Sequence, residues 1–182
     1  MLNNSYTRTA IALFKQPNIK GTVMFTQSYG ENYVHVDINL SSLVPYKKRA
    51  IHIHEYGDET NGCISLGAHW NPHNTQHGSI SIPIYTRHAG DLINNIEPDK
   101  HGNFNYSYCD PLLNLFGEVG NTIIGRSVVV HDGEDDLGIG GLGVEKGEIV
   151  IVNEEIHKES KKTGNAGSRM ACAIIGLANR TH

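Results

Sequence analysis

Short runs of alternating apolar and polar residues, separated by turn-forming residues, recur along almost the whole of this sequence. A period of two places successive side chains on opposite faces of a β-strand, so the pattern predicts half-buried strands and argues against a mainly helical fold. The predicted strands cover residues 7–14, 21–27, 33–40, 50–56, 91–96, 103–109, 127–131 and 171–177. Eight strands in a chain of 182 residues predict an all-β sandwich or barrel, with a single domain that spans residues 1–182.

Two long segments interrupt the strand pattern, at residues 57–88 and 132–169. Loops of this length are uncommon in a compact domain, and they are usually either functional or disordered. The second segment leaves room for a helical turn around residues 154–161. Because most of the histidines lie in or beside these two loops, we expect both loops to be functional.

Composition and charge exclude several classes of protein. The net charge of −4 argues against a nucleic-acid-binding protein, which is usually basic. No segment approaches the roughly 20 apolar residues of a membrane helix. The N-terminal segment shows no secretory signal, so we expect a cytoplasmic protein. The three cysteines are too few for a disulfide scaffold.

Histidine is the one unusual residue type, with 11 in the chain. His52 and His54 are two residues apart on a predicted strand and therefore share a face, although such a pair alone is usually just part of a polar surface. The first loop and the strands beside it add further candidate ligands, namely His69, His73, His77, His88, Asp91 and His131. Imidazoles with one carboxylate suit zinc and an all-nitrogen set suits copper, so the sequence supplies enough ligands for two ions.

Five segments of the chain resemble, in order, the motifs of the copper/zinc superoxide dismutases. They are HIHEYGD (52–58), CISLGAHWNP (63–72), HG with RHAGDL (77–78 and 87–92), IGRSVVVH with DDLG (124–131 and 135–138), and GNAGSRMAC (164–172). A single His-x-His would be a weak signal, whereas five ordered motifs are specific. The resemblance extends from about residue 7 to residue 179 and implies an eight-stranded Greek-key sandwich or barrel with two long functional loops.

The resemblance also implies a site with one copper ion and one zinc ion per chain. The implied copper ligands are His52, His54, His69 and His131, and the implied zinc ligands are His69, His77, His88 and Asp91. His69 would bridge the two ions as an imidazolate and act as a catalytic residue. Asp135 would hydrogen-bond to ligand imidazoles on both sides and fix their orientation. His73 lies between the implied zinc ligands and is either an alternative ligand or a decoy.

The implied reaction is the disproportionation of superoxide into oxygen and hydrogen peroxide. Arg169 would be the catalytic residue that guides the anion beside copper, since a guanidinium keeps its charge at any relevant pH. The alternative is a non-enzymatic metal-binding or copper-delivery module with the same fold. Such a module would be expected to lack copper ligands or the arginine, and this chain retains both.

Covalent and quaternary structure follow from the same resemblance. It implies a disulfide between Cys63 and Cys172 and gives Cys109 no role. It also allows a copper chaperone to deliver the metal. It also implies a homodimer formed through Tyr56, Ile124, Gly125 and Leu177. For Ile124 and Leu177, burial in the core of each monomer is the alternative interpretation.

This chain departs from the family pattern at three single positions and in the second loop. Trp70 replaces a usual phenylalanine, Ala50 a usual glycine, and Gly133 a frequent lysine. The second loop carries an insertion between residues 137 and 163 with an apolar run, and we expect residues 149–152 to be largely buried.

The family uses charges in this loop to attract superoxide. The candidates here are Glu154, Glu155, and Lys161 or Lys162.

Overall fold

The alternating segments form one antiparallel sheet in the computed structural model, which describes residues 6–81 and 86–179. The strands are β1 (Thr7–Gln16), β2 (Ile19–Ser28), β3 (Val34–Ser41), β4 (Arg49–His54), β5 (Thr60–Cys63), β6 (Asn95–Ile96), β7 (Phe104–Asp110), β8 (Ser127–His131), β9 (Leu142–Glu145), β10 (Glu148–Ile151) and β11 (Arg169–Leu177), with one α-helix, α1 (Glu154–Thr163). Eight of the strands pair in the order β6-β4-β8-β11-β1-β2-β3-β7. The sheet curls into a nearly closed barrel, so the all-β prediction is confirmed.

The period-two pattern fixes which face of each strand enters the core. In β3, Val34, Val36, Ile38 and Leu40 are buried, while His35 and Asn39 between them are exposed. The strands β4 and β8 differ, because every one of their residues is buried. One face of these two strands packs in the barrel and the two long loops cover the other, so polar side chains on that face are removed from water.

One predicted strand is much shorter than expected. Of residues 91–96, only Asn95 and Ile96 pair in the sheet, and the preceding Ala89–Asp91 form a 3₁₀ turn. Leu92 and Asn94 have positive φ angles of 48° and 62°, which an extended strand cannot contain. The prediction for this segment is therefore wrong except at its end, because the backbone turns here to present Asp91.

Two buried cross-links hold the first loop against the barrel. Cys63 and Cys172 form a disulfide with a Cα–Cα distance of 5.8 Å, and Cys109 is free and exposed, as expected. Closing a loop of 109 residues can stabilise the fold by about 4–5 kcal/mol through the entropy of the unfolded chain. Arg87 donates two hydrogen bonds of 2.8 Å to the carboxylate of Asp110 on β7. The metal-site loop is thereby attached at both of its ends.

The insertion in the second loop forms a β-hairpin. β9 and β10 pair around Lys146 and Gly147, whose φ angles of 53° and 87° fit a tight two-residue turn. The prediction that residues 149–152 are largely buried is wrong, because Ile149 is 75% exposed and Ile151 and Val152 are exposed as well. Two strands alone have no third layer to cover their apolar face.

The helix α1 follows the hairpin and confirms the helical turn predicted at residues 154–161. The Asn153 side chain caps it by accepting a hydrogen bond from the Ile156 amide, and Gly164 ends it in the left-handed conformation.

Within residues 6–81 and 86–179, we find no helix with the length and apolar character that crossing a bilayer requires.

Exposure of the hairpin predicts that its apolar residues contribute little to stability. Ile149→Ala should change the free energy of unfolding by less than about 0.5 kcal/mol, whereas Ile38→Ala, at a fully buried position of β3, should cost about 2–5 kcal/mol. Chemical denaturation of the two variants measures both values. A loss at position 149 as large as that at position 38 would show that the hairpin is covered in solution.

Candidate metal centre

Six histidines and two aspartates converge at the end of the barrel where the two loops meet. β4 supplies His52 and His54 on one face, β8 supplies His131 at its last position, and the remaining members come from the loops. Among the described residues, three groups have ligand atoms within 4.8 Å of one another, and two of them match the predicted ligand sets: His52, His54, His69 and His131, and His69, His77, His88 and Asp91. The third consists of His52, His77 and Asp135. All seven predicted ligands are therefore brought together, with His69 in both predicted groups.

The first group contains ring nitrogens that face each other without a proton between them. The Nδ1 atoms of His54 and His131 lie 3.0 and 3.2 Å from the carbonyl oxygens of Gly67 and Gly167. A carbonyl only accepts, so each Nδ1 donates and each Nε2 of a neutral ring carries a lone pair. Burial lowers the pKa of His131 to about 4 and also depresses that of His54, which keeps both rings neutral. The two Nε2 atoms are 3.3 Å apart, so their lone pairs repel unless a cation lies between them.

His52 has a buried nitrogen without a hydrogen-bond partner. Its Nε2 donates to Asp135 at 2.7 Å, which leaves a lone pair on Nδ1. That Nδ1 is buried and makes no hydrogen bond with the described residues. Burial lowers the pKa of His52 to about 3, so protonation does not remove the lone pair. An orphaned buried acceptor is costly unless a metal ion occupies it, and the first group therefore fits copper.

In the second group, three imidazoles surround one carboxylate oxygen. Asp91 Oδ1 lies 3.0, 2.9 and 3.1 Å from the Nδ1 atoms of His69, His77 and His88. A tetrahedral zinc ion with ligands at about 2.0–2.1 Å would separate its ligand atoms by about 3.3 Å. Burial alone would raise the pKa of Asp91, but the three histidines hold it well below its ordinary value. An ionised carboxylate with three imidazoles fits zinc.

Asp135 joins the two groups by hydrogen bonds. Its Oδ2 accepts from His52 Nε2 at 2.7 Å, and its Oδ1 pairs with His77 Nε2 at 3.0 Å. Burial lowers the pKa of His77, yet Asp135 and Asp91 outweigh it and raise this pKa to about 9. Gly164 leaves the necessary space, since a Cβ there would lie 2.5 Å from Asp135 Oδ1. Asp135 thus fixes the orientation of one ring in each group.

His73, the alternative zinc ligand, belongs to neither group. It is exposed and lies on a separate cleft of about 780 Å³ beside Pro72 and Leu112. His77, four residues later, is buried, whereas His73 is exposed. The sequence alone does not reveal this difference in burial.

A cavity of about 300 Å³ opens onto the first group. Its walls include His54, His69, His131, Glu159, Lys162, Thr163 and Arg169. Arg169 donates hydrogen bonds of 2.6 and 2.5 Å to the carbonyl oxygens of Cys63 and Gly67, which hold its guanidinium beside the histidines.

The charged candidates of the second loop differ in whether they line this cavity. Lys162 lines this cavity, whereas Glu154, Glu155 and Lys161 are not among its lining residues. Glu159 and Thr163 line it and were not predicted. Their i, i+3 and i+4 spacing with Lys162 would have identified them once the helix bounds were known.

The three single positions that depart from the family pattern, Trp70, Ala50 and Gly133, each make contacts that suit the residue present. Trp70 is buried, and the Arg126 guanidinium stacks on its ring at 4.7 Å. The amide of Ala50 donates to the carbonyl of Gly133 at 2.8 Å. A Cβ at Gly133 would meet the Ala166 carbonyl oxygen at 2.7 Å, so this close contact suits glycine.

Comparisons with known proteins agree with this geometry. The sequence model of the family described as copper/zinc superoxide dismutase (SODC) matches residues 19–175. A copper/zinc superoxide dismutase of Neurospora crassa is 44% identical over 161 residues, which cover 88% of this chain and 92% of that protein. An extracellular copper/zinc superoxide dismutase of Drosophila melanogaster is 45% identical over 159 residues, or 87% of this chain and 76% of that protein.

A solved structure shows the same fold. The crystal structure of the clock protein EA4 superposes with a TM-score of 0.77 at 35% identity, covering 98% of this chain and all of that one. Sequence, fold and metal groups agree: the chain belongs to the copper/zinc superoxide dismutase family and carries copper and zinc.

Proposed function

We propose that this chain disproportionates superoxide at a copper ion held by His52, His54, His69 and His131, with zinc held by His69, His77, His88 and Asp91. The observation that carries the assignment is the set of unprotonated nitrogens around the first group, His52 Nδ1 and the facing Nε2 atoms of His54 and His131. They adjoin a cavity that an arginine lines. A non-enzymatic module has no need of that arginine-lined cavity, and the alternative is not favoured.

The cavity is suited to bind an anion and to deliver protons. When bound, copper supplies a one-electron couple and zinc a fixed positive charge beside His69. Arg169 holds the anion by its fixed charge and donor geometry. Two superoxide anions and two protons give one oxygen and one hydrogen peroxide, so a proton donor is required. Because His69 Nδ1 is directed at Asp91, on the zinc side of the ring, its Nε2 would be the atom to hold such a proton.

Local charge supports attraction of superoxide by a protein whose net charge is −4. Lys162 and Arg169 both line the cavity, with Glu159 as its acidic member. A local positive potential in a narrow cavity outweighs a small net charge at short range.

The homodimer is proposed on the basis of one shared surface. Tyr56 is 52% and Leu177 64% exposed, whereas Ile124 packs partly against the core. A Cβ at Gly57 would lie 2.3 Å from the Gly125 carbonyl oxygen and 3.3 Å from the Ile174 side chain, so these segments adjoin. An exposed tyrosine and an exposed leucine near these glycine-containing segments favour pairing with a second copy.

A cytoplasmic location is proposed from the exposed free thiol of Cys109, which a reducing compartment preserves. Subcellular fractionation tests it, and recovery outside the cell would contradict it. Copper delivery by a chaperone stays a prediction.

Removal of one copper ligand tests the metal assignment. His131→Ala should abolish superoxide removal and copper binding while it retains about one zinc per chain, because no zinc ligand changes. Metal analysis after dialysis measures this, and His101→Ala in an exposed turn is the control. Near-normal activity of a copper-free His131→Ala protein would contradict the assignment.

Reversal of the guiding charge tests the role of Arg169. Arg169→Glu should retain both metals and lower the second-order rate constant at least about tenfold at low salt, with a smaller difference at high salt. Stopped-flow measurements at several ionic strengths give both quantities. An unchanged rate at low salt would remove Arg169 from the mechanism.

A charge on the proposed dimer surface should separate the subunits. Leu177→Asp should shift the protein from dimer to monomer in analytical ultracentrifugation, because it buries an unpaired carboxylate. Ile149→Asp, on the exposed hairpin, is the matched control and should leave the mass unchanged. A parent protein that sediments as a monomer would refute the proposal.

A further inference from the structure

One face of α1 is fixed to the backbone of a single residue, Gly140, at the base of the hairpin. His157 Nδ1 donates to the Gly140 carbonyl oxygen at 3.0 Å, and the Gly140 amide donates to Ser160 Oγ at 2.9 Å. Positions 157 and 160 are three residues apart and share a helix face. The two peptide groups that flank the Gly140 Cα are therefore both held by the same face of the helix.

The contact between this face and the loop leaves no space for a side chain at position 141, where a Cβ would lie 2.6 Å from the His157 amide nitrogen. A Cβ at Gly140 would lie 1.9 Å from Asp136 Oδ2, on the loop carboxylate that Ser160 of the helix contacts. Gly141 also has a φ of 74°, which disfavours other residues. The backbone of the helix is thus in direct contact with the backbone of the loop.

The same contact leads to the metal centre. Ser160 donates to Asp136 Oδ1 at 2.6 Å, and Asn165 donates to Asp136 Oδ2 at 2.5 Å. Asp136 adjoins Asp135, which hydrogen-bonds to His52 and His77. The rotation of α1 about its axis is therefore set relative to the ligands.

Another face of α1 presents charge to the cavity. Glu159, Lys162 and Thr163 line it, and Lys162 also lines the larger adjoining cleft of about 750 Å³. Among the described residues, the Lys162 ammonium group makes no hydrogen bond or ion pair. The orientation of the helix therefore sets the position from which this side chain reaches the cavity.

We propose that His157 of α1 is a positioning residue for superoxide capture: its bond to Gly140, beside the bonds of Ser160, fixes the rotation of α1 and so directs Lys162 into the cavity. The inserted hairpin begins at Leu142, beside that contact, and leads back to the N-terminal cap of α1. Without the bond, Ser160 would be the remaining side chain of this face that holds the helix to the loop, and movement of the exposed hairpin would reach the helix more easily. The proposal rests on the cavity's proposed role in attracting the anion.

A double-mutant cycle tests the proposal on the metal-loaded protein. His157→Leu and Lys162→Ala should each lower the second-order rate constant about twofold to tenfold at low ionic strength and weaken its salt dependence. If His157 acts through Lys162, the double variant should be no slower than Lys162→Ala. His157→Asn keeps a donor near the position of Nδ1 and should restore the parent rate. His101→Leu, in an exposed turn, is the control.

Hydrogen exchange supplies a readout that does not depend on activity. Amides of α1 should exchange faster in His157→Leu than in the parent or His157→Asn, with metal content unchanged. Loss of metal from His157→Leu, additive rate losses in the double variant, or parent rates in His157→Leu would each overturn the proposal. If Lys162→Ala leaves the rate constant unchanged, Lys162 does not attract superoxide. The positioning proposal is then refuted as well, because it acts through Lys162.

Discussion

The pairing of buried imidazoles with two buried carboxylates is the constraint on which the site depends. His52, His54, His69, His77, His88, His131, Asp91 and Asp135 are each at most 6% exposed. A polar group away from water is costly unless its hydrogen-bonding atoms have partners. Asp135 supplies partners for the outer nitrogens of His52 and His77. Asp91 instead faces the inward nitrogens of three rings and completes the second ligand group. The site is therefore organised for two cations by the protein's own hydrogen bonds.

The barrel makes this burial achievable. β4 and β8 provide a rigid floor, and the loops that cover them are held by the Cys63–Cys172 disulfide and the Arg87–Asp110 ion pair. A buried bidentate ion pair has a fixed geometry, and a disulfide restricts the unfolded chain, so both suit segments with few backbone pairs of their own. The loops can then carry ligands as accurately as the strands do.

The second loop consists of two parts with different properties, the hairpin and the helix α1. Its hairpin is exposed and apolar, whereas α1 lies against Gly140 and Gly141 and carries charge to the cavity. The backbone contact at the two glycines divides these parts. An insertion is tolerated on the outer side of that contact because no metal ligand lies beyond it.

The sequence by itself determined seven of the eight barrel strands, the ligand types and their order, because period-two patterning and the five motifs are local signals. It missed β5, β9 and β10, which lie within the two predicted loops. It did not determine that residues 91–96 turn, since the positive φ angles at Leu92 and Asn94 arise from presenting Asp91 to three histidines. Nor did it determine the exposure of Ile149 or which helix residues face the cavity. Burial depends on what packs against a segment, and only the tertiary structure decides which surfaces have a neighbour.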